Sequence, residues 1–364
     1  MGINEIIVYI MVVFAVLGAL DRIIGNRFGL GEKFEEGILA IGTLAISMVG
    51  IIALAPVIAS LLKPVIVPVF GWLGADPAMF AGSILANDMG GAPLAQELAQ
   101  SAEAGKFGGL IVGAMLGPTI VFTIPVALGI IEKEDRKYLA TGVLAGVITI
   151  PIGSFVGGLA AGYPVGMVVR NLIPIILFAL LIALGLWKFE KAMIRGFTVF
   201  GKFVVAVITL GLAAGIVEQL TGLVLIPGMN PISEGFEVVA DIAIVLAGAF
   251  PLVYVITKVF QKPLLGLGRL LGMNDVAAAG LVASLANSIP MFGMMKDMDD
   301  RGKVLNVAFA VSAAFVFGDH LGFTAGFSSD MIFPMIVGKL TGGITAVAVA
   351  LFLCRKGAAG KEGA

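Results

Sequence analysis

The chain is poor in the groups on which water-soluble chemistry draws. Its 364 residues include one cysteine, Cys354, one histidine, His320, and only 13% charged side chains. A single cysteine permits no internal disulfide and no multi-cysteine metal site, so neither a metal nor a cofactor is expected. One histidine leaves little general-base chemistry, and the His-Glu-x-x-His and Gly-x-Ser-x-Gly signatures are both missing, which speaks against an enzyme. Soluble domains carry about 25% charged residues. This chain has far fewer, is 59% hydrophobic and has a mean hydropathy of +1.07, so it cannot cover a surface facing water, and its solvent is the lipid bilayer. A net charge of −1 offers no basic surface for nucleic acid.

What is present is a series of apolar runs. A bilayer core about 30 Å thick takes roughly 20 apolar residues per helix, and such runs fall near 3–24, 36–62, 107–131, 138–161, 163–187, 198–222, 235–258, 302–323 and 331–353. The expectation is an all-α polytopic membrane protein with about nine transmembrane helices. Met1-Gly2-Ile3-Asn4-Glu5 puts no basic region ahead of the first run, which reads as a retained span. Two further apolar segments, 77–100 and 275–298, are broken by Asn87-Asp88-Met89-Gly90-Gly91 and Asn287-Ser288-Ile289-Pro290. They read as re-entrant hairpins.

Basic clusters stand at Arg22/Arg27/Lys33, Lys133/Arg136/Lys137, Lys188/Lys191/Arg195, Lys258/Lys262/Arg269, Lys296/Arg301/Lys303 and Arg355/Lys356. If both hairpins return to their face of entry, all of these share one side, with Lys63 and Lys106 as exceptions. The positive-inside rule makes that side cytoplasmic, with the N-terminus outside and the C-terminus in the cytoplasm. Trp72 and Trp187 fall near span ends, where amphipathic rings favour the interface.

Sliding the chain on itself by roughly 200 residues brings its halves into register. Phe34-Glu35 falls near Phe236-Glu237, Pro56 near Pro251, and Lys63-Pro64 near Lys262-Pro263. Leu73-Gly74 then meets Leu271-Gly272, Gly82 meets Gly280, Leu85-Ala86-Asn87 meets Leu285-Ala286-Asn287, and Gly105-Lys106 meets Gly302-Lys303. The organisation expected is a first repeat over 1–162, an extra span with a cytoplasmic linker over 163–197, a second, inverted repeat over 198–354, and a polar tail over 355–364. Inverted structural repeats with interrupted helices at matching positions mark secondary transporters, whose substrate sites lie near the midplane between the repeats.

The first arm of each hairpin would aim helix carbonyls, the negative end of its dipole, at the meeting place of the tips. Asn87, Asn287 and Ser288 add donors and acceptors there, and Asp88 adds a full charge that is costly in lipid without compensation. A small alkanolammonium fits these parts. Against this stands a bland reading in which the asparagines cap half-helices and Asp88 is a turn residue facing water. Asp319-His320 could gate the path or relay a proton, or else fix helix contacts. Thr119 and Thr123, around the break at Gly117-Pro118, are second-rank candidates of the same kind. Small-residue spacings such as Gly153/Gly157 permit close helix packing and self-association into a homo-oligomer.

The runs Phe34-Glu35-Glu36-Gly37, Met79-Phe80-Ala81-Gly82, Asn87-Asp88-Met89-Gly90-Gly91 and Gly117-Pro118-Thr119-Ile120-Val121-Phe122 resemble the ethanolamine permease family of bacterial ethanolamine-utilisation systems. So do Ile289-Pro290-Met291-Phe292-Gly293-Met294-Met295-Lys296, Gly318-Asp319-His320-Leu321-Gly322-Phe323 and Ile332-Phe333-Pro334-Met335-Ile336-Val337-Gly338-Lys339, so the resemblance spans the chain. It implies a cytoplasmic-membrane protein that admits ethanolamine, by facilitated diffusion or by ion-coupled uptake. The chain departs from the family pattern in shorter segments at 25–34 and 223–235 and a shorter C-terminal tail, in Ser288 where the pattern has Asn, and in Asn87 where it has Cys, which weakens any claim that Asn87 is indispensable. A channel-like facilitator for small amines, and less directly a membrane sensor or enzyme, remain alternatives.

Overall fold

The computed structural model describes the backbone of residues 2–362 and, apart from residues 260–262, 264, 267 and 355–362, their side chains. Expectations resting on Met1, Lys262, Arg355, Lys356 and the tail 355–364 lie outside the described residues. Every described element is helical. The chain begins with α1 (Ile3–Ile23) and the long α2 (Leu30–Trp72). Then come α3 (Ala78–Ile84), a short 3-10 turn at Asn87–Met89 and α4 (Gly91–Leu98). The short α5 (Ala102–Lys106) runs into a π-helix at Phe107–Val112. After a break come α6 (Leu116–Pro118), a second π-helix at Thr119–Thr123 and α7 (Ile124–Ile130). The second part comprises α8 (Arg136–Ala160), α9 (Val165–Thr221), α10 (Ile232–Leu270), α11 (Asp275–Ala286), α12 (Ser288–Met294), α13 (Asp300–Ala313), α14 (Asp319–Phe327) and α15 (Ile332–Glu362).

Among the described residues, six helices are long and apolar enough to cross a membrane, or seven if the pair Ala102–Val112 and Leu116–Ile130, bent by 42°, forms one span. The difference from nine has two local causes. The runs 163–187 and 198–222 belong to the single 57-residue α9, whose backbone leaves helical geometry only at Phe189 (φ −133°, ψ 40°). The run 302–323 is divided into α13 and α14 by residues 314–318. Both segments expected to be hairpins are pairs of short helices packed on one another, α3 on α4 and α11 on α12.

The ends of α2 and α10 are built alike. Gly74 and Gly272 take left-handed φ of 69° and 72°, and behind them Ala75 N–H donates to the Phe70 carbonyl at 2.9 Å and Met273 N–H to the Gly268 carbonyl at 3.0 Å. This closure satisfies terminal carbonyls and turns the chain sharply into the next helix, and it needs a residue without a Cβ penalty. Polar caps hold the base of each following pair. Asp76 accepts from Ala78 N–H and Gln100 N–H, while Asn274 accepts from Ala277 N–H and donates to the Asp297 carbonyl.

α2 packs along α10, and α8 along α15. A Cβ on Gly37 of α2 would meet Leu246 and Ala247 of α10, and one on Gly235 of α10 would meet Val49 of α2. Gly37 and Gly235 are as far apart in sequence as Val49 and Ala247, so the two contacts are reciprocal. At the other crossing Gly153 of α8 faces Gly338 and Gly342 of α15, and Gly157 faces Gly338 in return. These pairs bring backbones close enough for dispersion to hold helices together where lipid removes the hydrophobic drive. Apolar side chains such as Leu39, Leu61, Leu181 and Phe203 stay exposed on the outer surface, as do Trp72 and Trp187.

Two lysine–aspartate pairs complete the scaffold. Lys106, at the end of α5, meets Asp330 ahead of α15 at 2.7 Å, and Lys303, near the start of α13, meets Asp135 ahead of α8 at 2.6 Å. The first pair is 31% and 59% exposed and the second 11% and 4%, so their strengths should differ. Asp135→Asn strands a buried ammonium and is expected to cost about 3–5 kcal/mol. Lys106→Met should cost at most about 1 kcal/mol. Thermal unfolding of the two variants in detergent checks the order, and equal losses would show that burial does not separate the pairs.

Candidate functional site

Each interrupted helix pair is anchored on the broken helix that follows it. Leu85 and Ala86 take extended geometry after α3, which frees Asn87 N–H to donate to the Gly113 carbonyl at 2.7 Å. In the second half Phe315 N–H donates to the Ser284 carbonyl at 3.0 Å and Phe317 N–H to the Leu285 carbonyl at 2.9 Å. Glycine makes the approach possible. A Cβ on Gly117 would stand 1.8 Å from the Leu85 carbonyl oxygen, and one on Gly318 would stand 2.0 Å from that of Ala286. Phe315 adopts φ 63°, a left-handed conformation uncommon for a bulky residue and typical of functional strain.

The first tip packs on α14, and there the structure gathers its central charges. Asp88 Oδ1 lies 4.0 Å from His320 Nε2. The other ring nitrogen, Nδ1, lies 3.0 Å from Lys339 Nζ, and the lysine also donates to the Ala114 carbonyl at the break of the first broken helix. An ammonium only donates. With Lys339 charged, Nδ1 is the acceptor and the ring proton stands on Nε2, facing Asp88. His320 is 3% exposed and Lys339 1%. The imidazole also lies 5.2 Å from the ring of Phe315, which meets Phe122 edge-on at 5.5 Å.

The other predicted site residues fall around this cluster. Asn87 is fully buried, and neither its amide nitrogen nor its oxygen has a partner; the same holds for Ser288 Oγ. Asn287 behaves differently, since its Oδ1 accepts from Ile289 N–H at 2.8 Å and caps α12. The capping role considered for both asparagines thus applies to Asn287 and not to Asn87. Thr119 donates to the Met115 carbonyl at 2.8 Å and to the Val311 carbonyl at 3.3 Å, joining the two broken helices, and Thr123 is buried four residues on. No hydrogen bond joins Asn87 to Ser288. Asn287 and Asp319 instead line a cavity of about 530 Å³ between α2 and α10, with Lys33, Glu36, Thr43, Tyr254 and Thr257 further along its wall. A second pocket, about 350 Å³ and wholly apolar in its lining residues, lies by the first pair between α2 and α9, at Phe80, Leu85, Phe200 and Phe203.

Lys339 is the residue that sequence reasoning passed over. Its signal was a lone lysine inside the apolar run 331–353, where an ionisable side chain is a functional candidate by default.

The chain matches the family described as "Ethanolamine utilisation protein, EutH" over residues 3–353. It belongs to that family. It is 68% identical to the "Probable ethanolamine permease EutH" of Listeria monocytogenes, across 98% of this chain and 95% of that protein. It is 54% identical to the protein of the same name in Escherichia coli, across 98% and 97%, and 53% identical to the "Uncharacterized protein YxeR" of Bacillus subtilis, across 97% and 95%. No solved structure matches the chain.

The close approaches at the tips give a test of the geometry. Gly117→Ala and Gly318→Ala each place a methyl against backbone that cannot swing aside, and should cost about 3 kcal/mol. Gly129→Ala, where a Cβ meets nothing within 4 Å, should leave the unfolding midpoint in place. Wild-type midpoints in all three would contradict the anchoring of tips on broken helices.

Proposed function

We propose that the protein carries ethanolamine in its protonated form across the cytoplasmic membrane into the cell, with its N-terminus outside and its C-terminus inside. The substrate is suggested by the printed names of the Listeria and Escherichia relatives. The observation that carries the binding mode is Asn87, fully buried with donor and acceptor both unpaired, one residue from the carboxylate of Asp88. A buried polar group left unsatisfied costs about 1–3 kcal/mol. A ligand bearing an ammonium and a hydroxyl would offer Asp88 its charge and Asn87 a hydrogen bond in both directions, and Ser288 Oγ is a further free partner.

Two inverted repeats would frame this site, one running from α1 to α8 and the other from the second half of α9 to α15. The reciprocal contacts of α2 with α10, the matching glycine closures and the exchanged Lys–Asp pairs support that symmetry. On this reading the expected nine spans are α1, α2, the bent pair α5–α7, α8, α9 counted twice about Phe189, α10, the pair α13–α14, and α15. The paired helices 77–100 and 275–298 are the re-entrant elements. The cavity ending at Asn287 and Asp319 would be the cytoplasmic vestibule, since Lys33 and Glu36 belong to the loop side assigned inward. The apolar pocket at the first pair offers a hydrated cation no such way out, which favours a carrier with access on one side at a time over a continuous channel.

Uptake of labelled ethanolamine into proteoliposomes, started at equal concentration on both sides with sodium, proton and voltage gradients imposed singly, tests the reading. Accumulation under a sodium or proton gradient would mark a coupled carrier. Equilibration alone, or accumulation under voltage alone, would mark facilitated diffusion, and no protein-dependent uptake would refute transport. Asp88→Asn is expected to raise the half-saturation concentration by about tenfold or more, the scale of one charge-assisted hydrogen bond. Unchanged kinetics would remove Asp88 from the site.

A further inference from the structure

The enclosed cluster already holds an amine. Lys339 is 1% exposed and bonded to the Ala114 carbonyl and to His320, and the far side of the same imidazole faces Asp88. The titratable groups facing Lys339 are therefore His320 of α14 and, beyond the ring, Asp88 of the first tip. The other elements packed on α15 bring nothing comparable. α8 carries Arg136, Lys137 and Tyr138 only in its first turn, α13 carries Asp300, Arg301 and Lys303 only in its first turn, the π-helix Phe107–Val112 carries none, the turn Ser329–Met331 carries Asp330, which is paired with Lys106, and α1 carries Glu5, Tyr9, Asp21 and Arg22. Asp319 and Glu36 stand on the cavity side, both partly exposed. With Asp88 ionised, lysine charged and imidazole neutral, the set of Asp88, His320 and Lys339 has no net charge.

A substrate ammonium entering that set would make it net positive in a space removed from water, which is strongly unfavourable unless a charge leaves. We propose that Lys339 is the resident cation of the substrate site and that it gives up a proton when the substrate ammonium binds at Asp88. The balance is simple. One N–H bond of Lys339 Nζ breaks as one forms at His320 Nδ1, the ring then gives its Nε2 proton to water on the Asp88 side and is left neutral in the other tautomer, and the neutral amine keeps its hydrogen bond to the Ala114 carbonyl. Charge in the cluster is the same before and after binding. Lys339 thereby sets the site's selectivity for the protonation state of its cargo and makes loading independent of membrane voltage. The inference rests on the proposed ethanolamine site and adds to it a proton stoichiometry.

Titration of the detergent-solubilised full-length protein with ethanolamine, in buffers of different ionisation heat and over two units of pH around neutrality, reads that stoichiometry. Wild type should release about one proton per ethanolamine bound, so that Kd falls about tenfold for each unit rise in pH. In Lys339→Gln, which keeps a donor for the Ala114 carbonyl but has no proton to lose, release should fall to nearly zero and the dependence of Kd on pH should flatten. Lys339→Arg keeps a charge that cannot leave, and ethanolamine should bind at least about tenfold more weakly. If wild type binds without releasing a proton, or Lys339→Gln releases as many as wild type, the assignment to Lys339 is overturned and the ethanolamine site stands. If wild type gives no heat of binding at any pH, the ethanolamine site itself falls. Should Lys339→Gln not fold, Lys339→Arg decides: a side chain that cannot lose its proton should release none, and release equal to wild type would overturn the assignment.

Discussion

The structure turns on one requirement: backbone amides and carbonyls held away from water must find partners. A continuous helix meets it internally, and an interrupted one must borrow. Here the borrowing is mutual, since Asn87 N–H takes the Gly113 carbonyl, while Ser284 and Leu285 give theirs to Phe315 and Phe317. Each interruption is tolerable only because another lies beside it. That mutual support explains why the breaks come in pairs, and why Gly117 and Gly318 sit where any Cβ would strike the neighbouring carbonyl oxygen. The polar cluster is a consequence of this arrangement. Once breaks are paired, leftover carbonyls such as that of Ala114 are available, and the Lys339 side-chain nitrogen occupies it.

With the proposed repeats the scaffold would be nearly symmetric, whereas its contents are not. Closures at Gly74 and Gly272, reciprocal packing of α2 and α10, and Lys–Asp pairs exchanged between the halves match in kind. The chemistry occurs once. Asp88 comes from the first half and His320 and Lys339 from the second, so the cluster forms only when the halves are packed together. A relative movement of the proposed repeats would act directly on the distances within the cluster, which is how a symmetric frame can couple a change of access to a change of binding.

Much of this was legible in sequence because it is local. Hydropathy marks α1, α2, α8, α10 and α15, and Asn, Gly and Pro within apolar runs mark the breaks at 87–91 and 287–290, since those residues end helices whatever surrounds them. The alignment of Leu73-Gly74 with Leu271-Gly272 was visible because a left-handed closure demands glycine. What stayed hidden is long-range. Nothing in the charged stretch Lys188–Arg195 indicates that α9 continues through it with one non-helical residue, because hydropathy measures affinity for lipid and helix continuity depends on φ and ψ. The contacts that hold each tip were equally hidden, the first tip packing on α14 and α12 on α7. Lys339 escaped because its partners lie 19 and 225 residues away, at His320 and Ala114.

The two kinds of buried charge also argue differently about purpose. Lys303 and Asp135 form a direct pair at 2.6 Å, close enough to offset much of the desolvation of each, and they join the start of α13 to the start of α8. Lys339 and Asp88 are separated by an imidazole, with a gap of 4.0 Å on one side. A separated pair regains less of its desolvation cost than a direct one. As a device for stability it is inferior to the direct pair and to an apolar side chain of similar volume. Its geometry gains sense only if something else enters: the spacing leaves Asp88 accessible to a second cation while Lys339 stays within reach of a group that can take its proton. The looseness that makes the cluster a poor clamp makes it suitable for exchange.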